Sequence, residues 1–180
     1  MAGELFSARA VLRPFAEVDA PELHALFRDP AVRRYLLDDA LVPAEWVTEE
    51  IESSSKRFAA TGAGLWSVRL SGEDRIVGFV GFREFFDPPQ LQLLYGLLPE
   101  YWGRGLATEV ASLICAEAFC SLGFAQVAAA TDRPNFASSR VLERLGMELV
   151  LSSSDGVSGT LFYLLKREQW ERQRLANTGI

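Results

Sequence analysis

Histidine and cysteine are scarce in this chain. His24 is the only histidine, and the two cysteines, Cys115 and Cys120, stand five residues apart. That spacing is neither a CxxC redox pair nor a zinc-ligand pattern, and one histidine excludes a His-rich metal site. Both thiols read as reduced core cysteines, and nothing supports a Cys–His nucleophile pair. Lysine is nearly missing: Lys56 and Lys166 stand against 16 arginines, which reads as coding bias and not as function. Basic excess is missing as well. Lys+Arg is 18 against Asp+Glu 24, a net charge of −6, which argues against a nucleic-acid binder. No apolar run approaches the ~20 residues of a spanning helix, so no membrane role is expected. The opening MAGELFSARAVLRPF has no basic segment followed by an apolar one, so no signal peptide is read and a cytoplasmic location is expected.

What is present suits one ordinary domain over residues 1–180. The chain is 49% hydrophobic and 11% aromatic, enough to bury a core without staples. No internal repeat or linker interrupts it. Ala8 to Arg13 alternates as a strand that stops at Pro14. Asp19 with Glu22 reads as a capping box opening a helix, Asp29-Pro30 opens a second, and Pro43 begins a third. Leu65–Leu70 and Arg75–Arg83 form a hairpin around a Ser71–Asp74 turn, and Leu91–Leu98 is a further strand. Gly105–Leu122 is a long helix ended by Gly123, and Gln126–Thr131 is a short buried strand. Phe136–Leu145 is a helix with Asn135 at its N-cap. Met147–Leu151 and Gly159–Leu165 are the last strands, joined by a Ser152–Ser158 turn. From Arg167 a frayed helix is expected. The order predicts a mixed α/β fold with helices on both faces and a parallel crossover from Leu91 to Thr131.

The chemistry concentrates in Pro99-Glu100-Tyr101-Trp102-Gly103-Arg104-Gly105-Leu106-Ala107-Thr108-Glu109. Two glycines straddle an arginine between a strand and a helix start. Glycine permits a tight turn and close approach to an anion. The helix start adds unpaired N–H groups and the positive end of a dipole. Together these can cradle a pyrophosphate, although a plain strand-to-helix turn reads the same. A P-loop needs GxxxxGK[ST], and no lysine is near. A dinucleotide fingerprint needs GxGxxG, but residue 108 is Thr and no acidic residue follows between Ala118 and Thr131. The coenzyme A cradle pattern [QR]xxGx[GA] matches at Gly105 and Ala107, with Trp102 at its first position.

The chain resembles the GNAT N-acetyltransferases from about Ala8 to Lys166. Within them it is similar to the branch named for ribosomal-protein alanine N-acetyltransferases. Three blocks carry the resemblance: Arg9-Ala10-Val11-Leu12-Arg13-Pro14-Phe15 with Asp19-Ala20; Pro99 to Glu109; and Asn135 to Met147, which matches NxxSxxVLxxxGF/M. The resemblance implies a central, mostly antiparallel sheet with a splayed parallel strand pair. It also implies direct transfer from acetyl-CoA to a primary amine of a peptide N-terminus or small molecule. Leu97 would hydrogen-bond the pantetheine arm, and N–H groups of Gly103, Arg104, Gly105, Leu106, Ala107 and Thr108 would hold the pyrophosphate. A backbone N–H near Tyr95 would polarise the thioester carbonyl. Asn135 and Ser138 would sit near the sulfur, with Ser138 as general acid; Tyr163 is an alternative acid. Blander readings stand beside these: Asn135 as an N-cap, Ser138 as a small helix-start residue, and Arg104 as a surface charge. Trp66, Trp46 and Tyr35 could line an acceptor pocket or belong to the core.

One departure bears on mechanism. The family often places a glutamate on the central strand, before an apolar–Gly–Tyr triplet. Here the run is Gln92-Leu93-Leu94-Tyr95, and an amide cannot accept the proton of an ammonium nucleophile. Glu84, Asp87, His24 or a water chain are the remaining candidates for that role. The expected activity is N-acetyl transfer, with a catalytically weakened coenzyme A-binding sensor or scaffold as the alternative. An exposed edge in the C-terminal hairpin could support a homodimer.

Overall fold

The computed structural model describes residues 3–36, 39–152 and 159–178. Eight strands form one sheet in the order β1-β2-β3-β4-β5-β6-β8-β7. They are β1 (Leu5–Phe6), β2 (Ala10–Pro14), β3 (Leu65–Leu70), β4 (Ile76–Phe85), β5 (Gln90–Leu97), β6 (Gln126–Asp132), β7 (Glu148–Ser152) and β8 (Thr160–Lys166). The helices are α1 (Ala20–Arg28), α2 (Pro30–Arg33), α3 (Ala44–Thr61), α4 (Leu106–Cys120), α5 (Phe136–Arg144) and α6 (Arg167–Thr178). Every pairing is antiparallel except β5 with β6. The mixed sheet with its parallel pair is the architecture the sequence predicts.

Alternation along β5 explains the two cores. Leu93 and Leu97, with Leu91 and Tyr95 beside them, face Val110, Ile114 and Leu142 of α4 and α5. Leu94 points the other way, into the cluster of Leu26, Phe27, Val47 and Phe79 under α1 and α3. Period-two side chains on a central strand must serve both faces, so a strand buried on both sides reads almost continuously apolar.

The parallel seam is short. β5 and β6 share one register pair, Gln92 with Ala128, and the strands part beyond it. On its other edge β5 is fully paired to β4, from Phe85–Gln90 to Gly78–Leu97. β6 is likewise paired to β8 along its length. The opening therefore lies inside an otherwise closed sheet.

Four local expectations are corrected. Asp19 and Glu22 do not form a capping box. Asp19 makes no side-chain cap; its carboxylate takes Arg69 Nη2 at 2.6 Å, and Glu22 Oε2 accepts the Ile76 N–H at 2.9 Å. Both acids fasten α1 to the β3–β4 hairpin, because buried donors there need acceptors more than a helix start does. The C-terminal helix is packed and not frayed. Trp170 stacks on Phe119 at 5.1 Å, and Arg167 donates twice to the Phe124 carbonyl. Cys115 is buried and its thiol is pushed up to about 12 by that burial. Cys120 is exposed, since five helical residues turn it off the buried face. The strand read from Ala8 to Arg13 runs from Ala10 to Pro14, and a short strand, β1, precedes it. Residues 153–158 of the expected Ser152–Ser158 turn lie outside the described residues.

At the far edge, Leu149, Val150 and Leu151 of β7 are all exposed. No helix among the described residues is long and apolar enough to cross a membrane.

The Asp19–Arg69 pair is nearly inaccessible, at 9% and 6% side-chain exposure. Asp19→Ala should therefore leave a buried guanidinium uncompensated and cost about 3–5 kcal/mol, read as a lower urea midpoint. Adding Arg69→Met to that variant should recover most of the loss, because the stranded charge is removed.

Candidate active site

The opening between β5 and β6 is lined by backbone. Leu98 N–H donates to the Val77 carbonyl at 2.9 Å, so Val77 and Leu98 face each other with hydrogen-bonding groups inward. Antiparallel pairing alternates, which turns the N–H and C=O of Leu97 and Tyr95 away from β4. These groups point into the opening, beyond the last register pair with β6. One of them is already engaged: the Leu97 carbonyl accepts the Trp102 indole N–H at 2.6 Å. Its N–H, and both polar groups of the Tyr95 backbone, face the gap.

The glycine turn stands at the end of that gap. Gly103 and Gly105 both adopt left-handed φ, +71° and +76°. These conformations strain other residues, so the two glycines are required by the turn itself. Gly105 is the N-cap of α4 and supplies no side-chain cap. The first-turn N–H groups of α4 are therefore left without a side-chain acceptor. A Cβ built on Gly103 meets no atom within 4 Å, so open space faces its backbone. The Arg104 side chain is exposed and has no partner among the described residues. Thr108 Oγ1 is buried and unpaired. Unpaired donors, open space and a free guanidinium fit an anionic diphosphate.

Arg9, on the approach to β2, holds this turn from outside. It donates to Glu109 through Nε at 2.7 Å and through its backbone N–H at 2.9 Å. Its Nη1 donates to the Arg104 carbonyl at 2.9 Å. Burial alone would push the Glu109 carboxyl up; hydrogen bonds from Ser7 and Arg9 and the guanidinium charge outweigh it and hold it below the usual value. The clamp is thus fully formed at neutral pH. Its contribution is lost only as pH falls below the ordinary carboxylate value of 4.5 and through the lower folded one. Arg9 belongs to a recognisable sequence block, but nothing in the sequence links it to residue 109.

On the α5 side, Asn135 caps the helix by accepting the Ser138 N–H at 3.2 Å. The Tyr95 hydroxyl lies 2.8 Å from Ser138 Oγ and donates to the Ser138 carbonyl at 3.1 Å when turned that way. Burial pushes the Tyr95 phenol well above its ordinary value, the Ser138 hydrogen bond lowering it only in part. The structure thus brings Tyr95, Ser138 and Asn135 together. Tyr163, buried on β8, adds a small electrostatic effect on Tyr95.

Other candidates fall elsewhere. Trp66 is core, packed edge-on to Phe58 at 4.6 Å. His24 Nε2 is engaged with the Val42 carbonyl at 3.1 Å. Glu84 and Asp87 are exposed at the β4–β5 end. Gln92 is 3% exposed and its Oε1 has no partner.

The description Acetyltransferase (GNAT) domain matches residues 9–148. The chain belongs to the GNAT acetyltransferase family. Among curated relatives, the uncharacterized N-acetyltransferase YoaA of Bacillus subtilis is 25% identical over 141 residues, covering 78% of this chain and 80% of its own. Among solved structures, an acetyltransferase from Agrobacterium tumefaciens superposes with a TM-score of 0.78 at 22% identity, covering 92% and 95% of the two chains. The ribosomal L7/L12 alpha-N-protein acetyltransferase, solved with coenzyme A, superposes with a TM-score of 0.78 at 14% identity over 93% and 99%. At those identities both structures bear on the fold. The GNAT fold therefore rests on family match and superposition alike.

Gly103→Ala tests the turn. Its Cβ meets nothing in the protein, so only the left-handed backbone is penalised, by about 1–2 kcal/mol. Acetyl-CoA affinity by calorimetry should fall by at least about tenfold, because the methyl group enters the space facing the anion. An affinity within twofold of the parent would show that the diphosphate does not lie there.

Proposed function

We propose that residues 1–180 form one acetyl-CoA-dependent N-acetyltransferase that moves the acetyl group directly to a primary amine. The observation that carries this reading is a coincidence of two backbone features. Unpaired groups of Tyr95 and Leu97 line the gap between β5 and β6, and an uncapped glycine turn sits at its end. An extended arm with a diphosphate at one end needs that combination. In this reading the Leu97 N–H holds the pantetheine arm, and N–H groups from Gly103 to Thr108 hold the diphosphate with Arg104 beside it. Trp102 does not touch the coenzyme through its indole N–H, which fixes the end of β5 instead.

Acetyl-CoA supplies the activated acetyl group; the chain supplies position and protons. The Tyr95 backbone N–H is aimed to stabilise negative charge developing on the carbonyl oxygen. The Tyr95 phenol is held protonated by burial, which makes it a proton donor and not a base. Ser138 Oγ, 2.8 Å away, can release a proton to the departing sulfur and be resupplied from Tyr95, and the proton that the amine loses on becoming an amide restores Tyr95. Asn135 fixes the helix start that carries Ser138.

Among the described residues, none of the side-chain candidates offers a free base at the Gln92 position. Gln92 is an amide, His24 is bound to a loop carbonyl, and Glu84 and Asp87 are exposed. The amine then either arrives neutral or gives its proton to a water chain, and arriving neutral is the simpler course. An α-amine, with a pKa of roughly 7.7–8.0, is about a tenth or more neutral at pH 7; a lysine-like amine near 10.4 is almost wholly charged. This favours an α-amine on a peptide, protein or small molecule, in keeping with the resemblance to the ribosomal-protein branch.

Two measurements test the reading. Ser138→Ala and Tyr95→Phe should each lower kcat by about 10²-fold with acetyl-CoA affinity little changed, and the double variant should lose little more. A rise in KM with kcat intact would reduce the pair to a binding role. Second, kcat/KM measured from pH 6 to 9 should favour a peptide N-terminus over spermidine at neutral pH. A better rate with spermidine would mean that a strong base serves the site. A protein that binds acetyl-CoA and acetylates no amine would instead be a sensor or scaffold.

A further inference from the structure

The face of the sheet beneath α3 carries charges that the reading above does not use. Glu50 of α3 is 6% exposed, at a position where the helix otherwise buries Val47, Ile51 and Ser54. Its two oxygens accept from two different arginines: Oε1 from Arg57 Nη2 at 2.6 Å, Oε2 from Arg83 Nε at 2.8 Å. Two guanidiniums thus share one buried carboxylate, and one positive charge is left over. Isolated charge is costly in such surroundings unless it is paired. Arg57 and Arg83 are only 15% and 21% exposed, so water screens this excess poorly.

Arg57 Nε is buried without a partner, and Arg83 is the more accessible of the two arginines. Its guanidinium lies over the Trp46 and Phe85 rings, 5.6 and 4.9 Å from their centroids, and Nε is fixed by Glu50. Among the described residues its terminal nitrogens have no hydrogen-bond partner. They form the planar fork that matches a carboxylate in two parallel bonds. Arg83 pairs directly across from Gln92 of β5, so both side chains emerge on the same face. There Gln92 Oε1 is the second unsatisfied group, buried and unbonded; its Nε2 reaches only Gln90 Oε1, at 3.4 Å. A free donor fork and a free acceptor stand side by side in a half-buried place.

We infer that Arg83 and Gln92 form the acceptor subsite, and that it takes a primary amine carrying a carboxylate a few bonds away. This rests on the acetyltransferase reading. In that reading the amine attacks at the level of Leu94 and Tyr95. Two residues of strand, about 7 Å, separate that level from Arg83. An amine and a carboxylate joined by three or four bonds, each with a hydrogen bond at its end, span the interval. The Arg83 fork binds the carboxylate and neutralises the excess charge, while Gln92 Oε1 accepts an N–H of the same molecule. Glutamine in place of glutamate is then a matter of charge: a carboxylate at position 92 would satisfy Arg83 internally and compete with the substrate. Glu50 is a positioning residue that holds the fork over Trp46 and Phe85. The source with this chemistry is a peptide whose first residue is acidic: aspartate or glutamate sets its carboxylate three or four bonds from an α-amine of low pKa.

The test uses matched acid and amide acceptors at saturating acetyl-CoA, with release of free CoA as the readout. The pairs are aspartyl-alaninamide with asparaginyl-alaninamide, and glutamyl-alaninamide with glutaminyl-alaninamide. In the parent protein kcat/KM should favour the acid by about tenfold or more in at least one pair, and that pair names the first residue. In Arg83→Met, which keeps the apolar stem on Trp46, the same ratio should fall at least fivefold. Comparing the ratio between proteins cancels the acceptors' own basicity. Arg83→Lys should restore part of it. Should Arg83→Met fail to fold, Gln92→Glu serves instead and should collapse the ratio by occupying the fork. A parent ratio at or below one in both pairs, or a ratio that survives the substitution, overturns the inference while acetyl-CoA still binds and amines are still acetylated. Absence of acetyl-CoA binding by calorimetry overturns the acetyltransferase reading itself, and this inference with it.

Discussion

A backbone N–H or C=O inside a protein must find a partner, and the centre of this sheet withholds partners on purpose. β5 is bonded to β4 along its whole length and to β6 at one register pair. Past that pair the two strands diverge, leaving polar backbone in the interior. Such a gap survives only if the rest of the fold fixes the strands apart and something polar and extended can fill it. Much of the remaining structure answers the first condition. α4 and α5 pack on one side of β5 and α1 and α3 on the other, with a separate apolar cluster on each face. The unpaired strand edge is the second condition, and an extended amide-bearing arm satisfies it as a strand would.

The fasteners that hold this arrangement are carboxylates doing unexpected jobs. Asp19 and Glu22 tie α1 to the β3–β4 hairpin. Glu109 ties α4 to Arg9 on the sheet's first edge. Glu50 ties α3 to β4. Each links a helix to a strand far away in sequence, so each fixes a helix relative to the central strand. In a chain with few lysines, arginine is the partner of Asp19, Glu109 and Glu50, while Glu22 takes the Ile76 backbone N–H. The arginine fork can bond a carboxylate and a backbone carbonyl together, as Arg9 does with Glu109 and Arg104.

Most elements were legible in the sequence because their signals are local. Alternation marked the strands, Gly62, Gly123 and Gly146 stopped helices in left-handed turns, and Pro30 and Asn135 opened them. The glycine turn before α4 was legible for the same reason: its glycines, its arginine and its helix start are contiguous. The misread features depend on distance. Asp19 followed by Glu22 has the pattern of a capping box, yet a buried arginine 50 residues on claims the aspartate. The last helix looked polar enough to fray, but Trp170 finds Phe119 across the fold. Arg83 and Glu50 were invisible as a pair, although a glutamate in line with Val47, Ile51 and Ser54 on the buried stripe of α3 was a signal that a cation waits opposite. The proximity of Tyr95 and Ser138 likewise needs the crossover through α4 to bring β5 and α5 together.

The segment from Trp102 to Gly105 is anchored at both ends before any ligand is present. Trp102 reaches back to the Leu97 carbonyl, and Arg9 grips the Arg104 carbonyl from the opposite flank. A loop tethered this way is a mould and not a lid. Its conformational entropy is given up when the chain folds, so little ordering remains to be done at the moment of capture. In the acetyltransferase reading, exchange of one coenzyme molecule for the next would then require no closing and reopening of this segment.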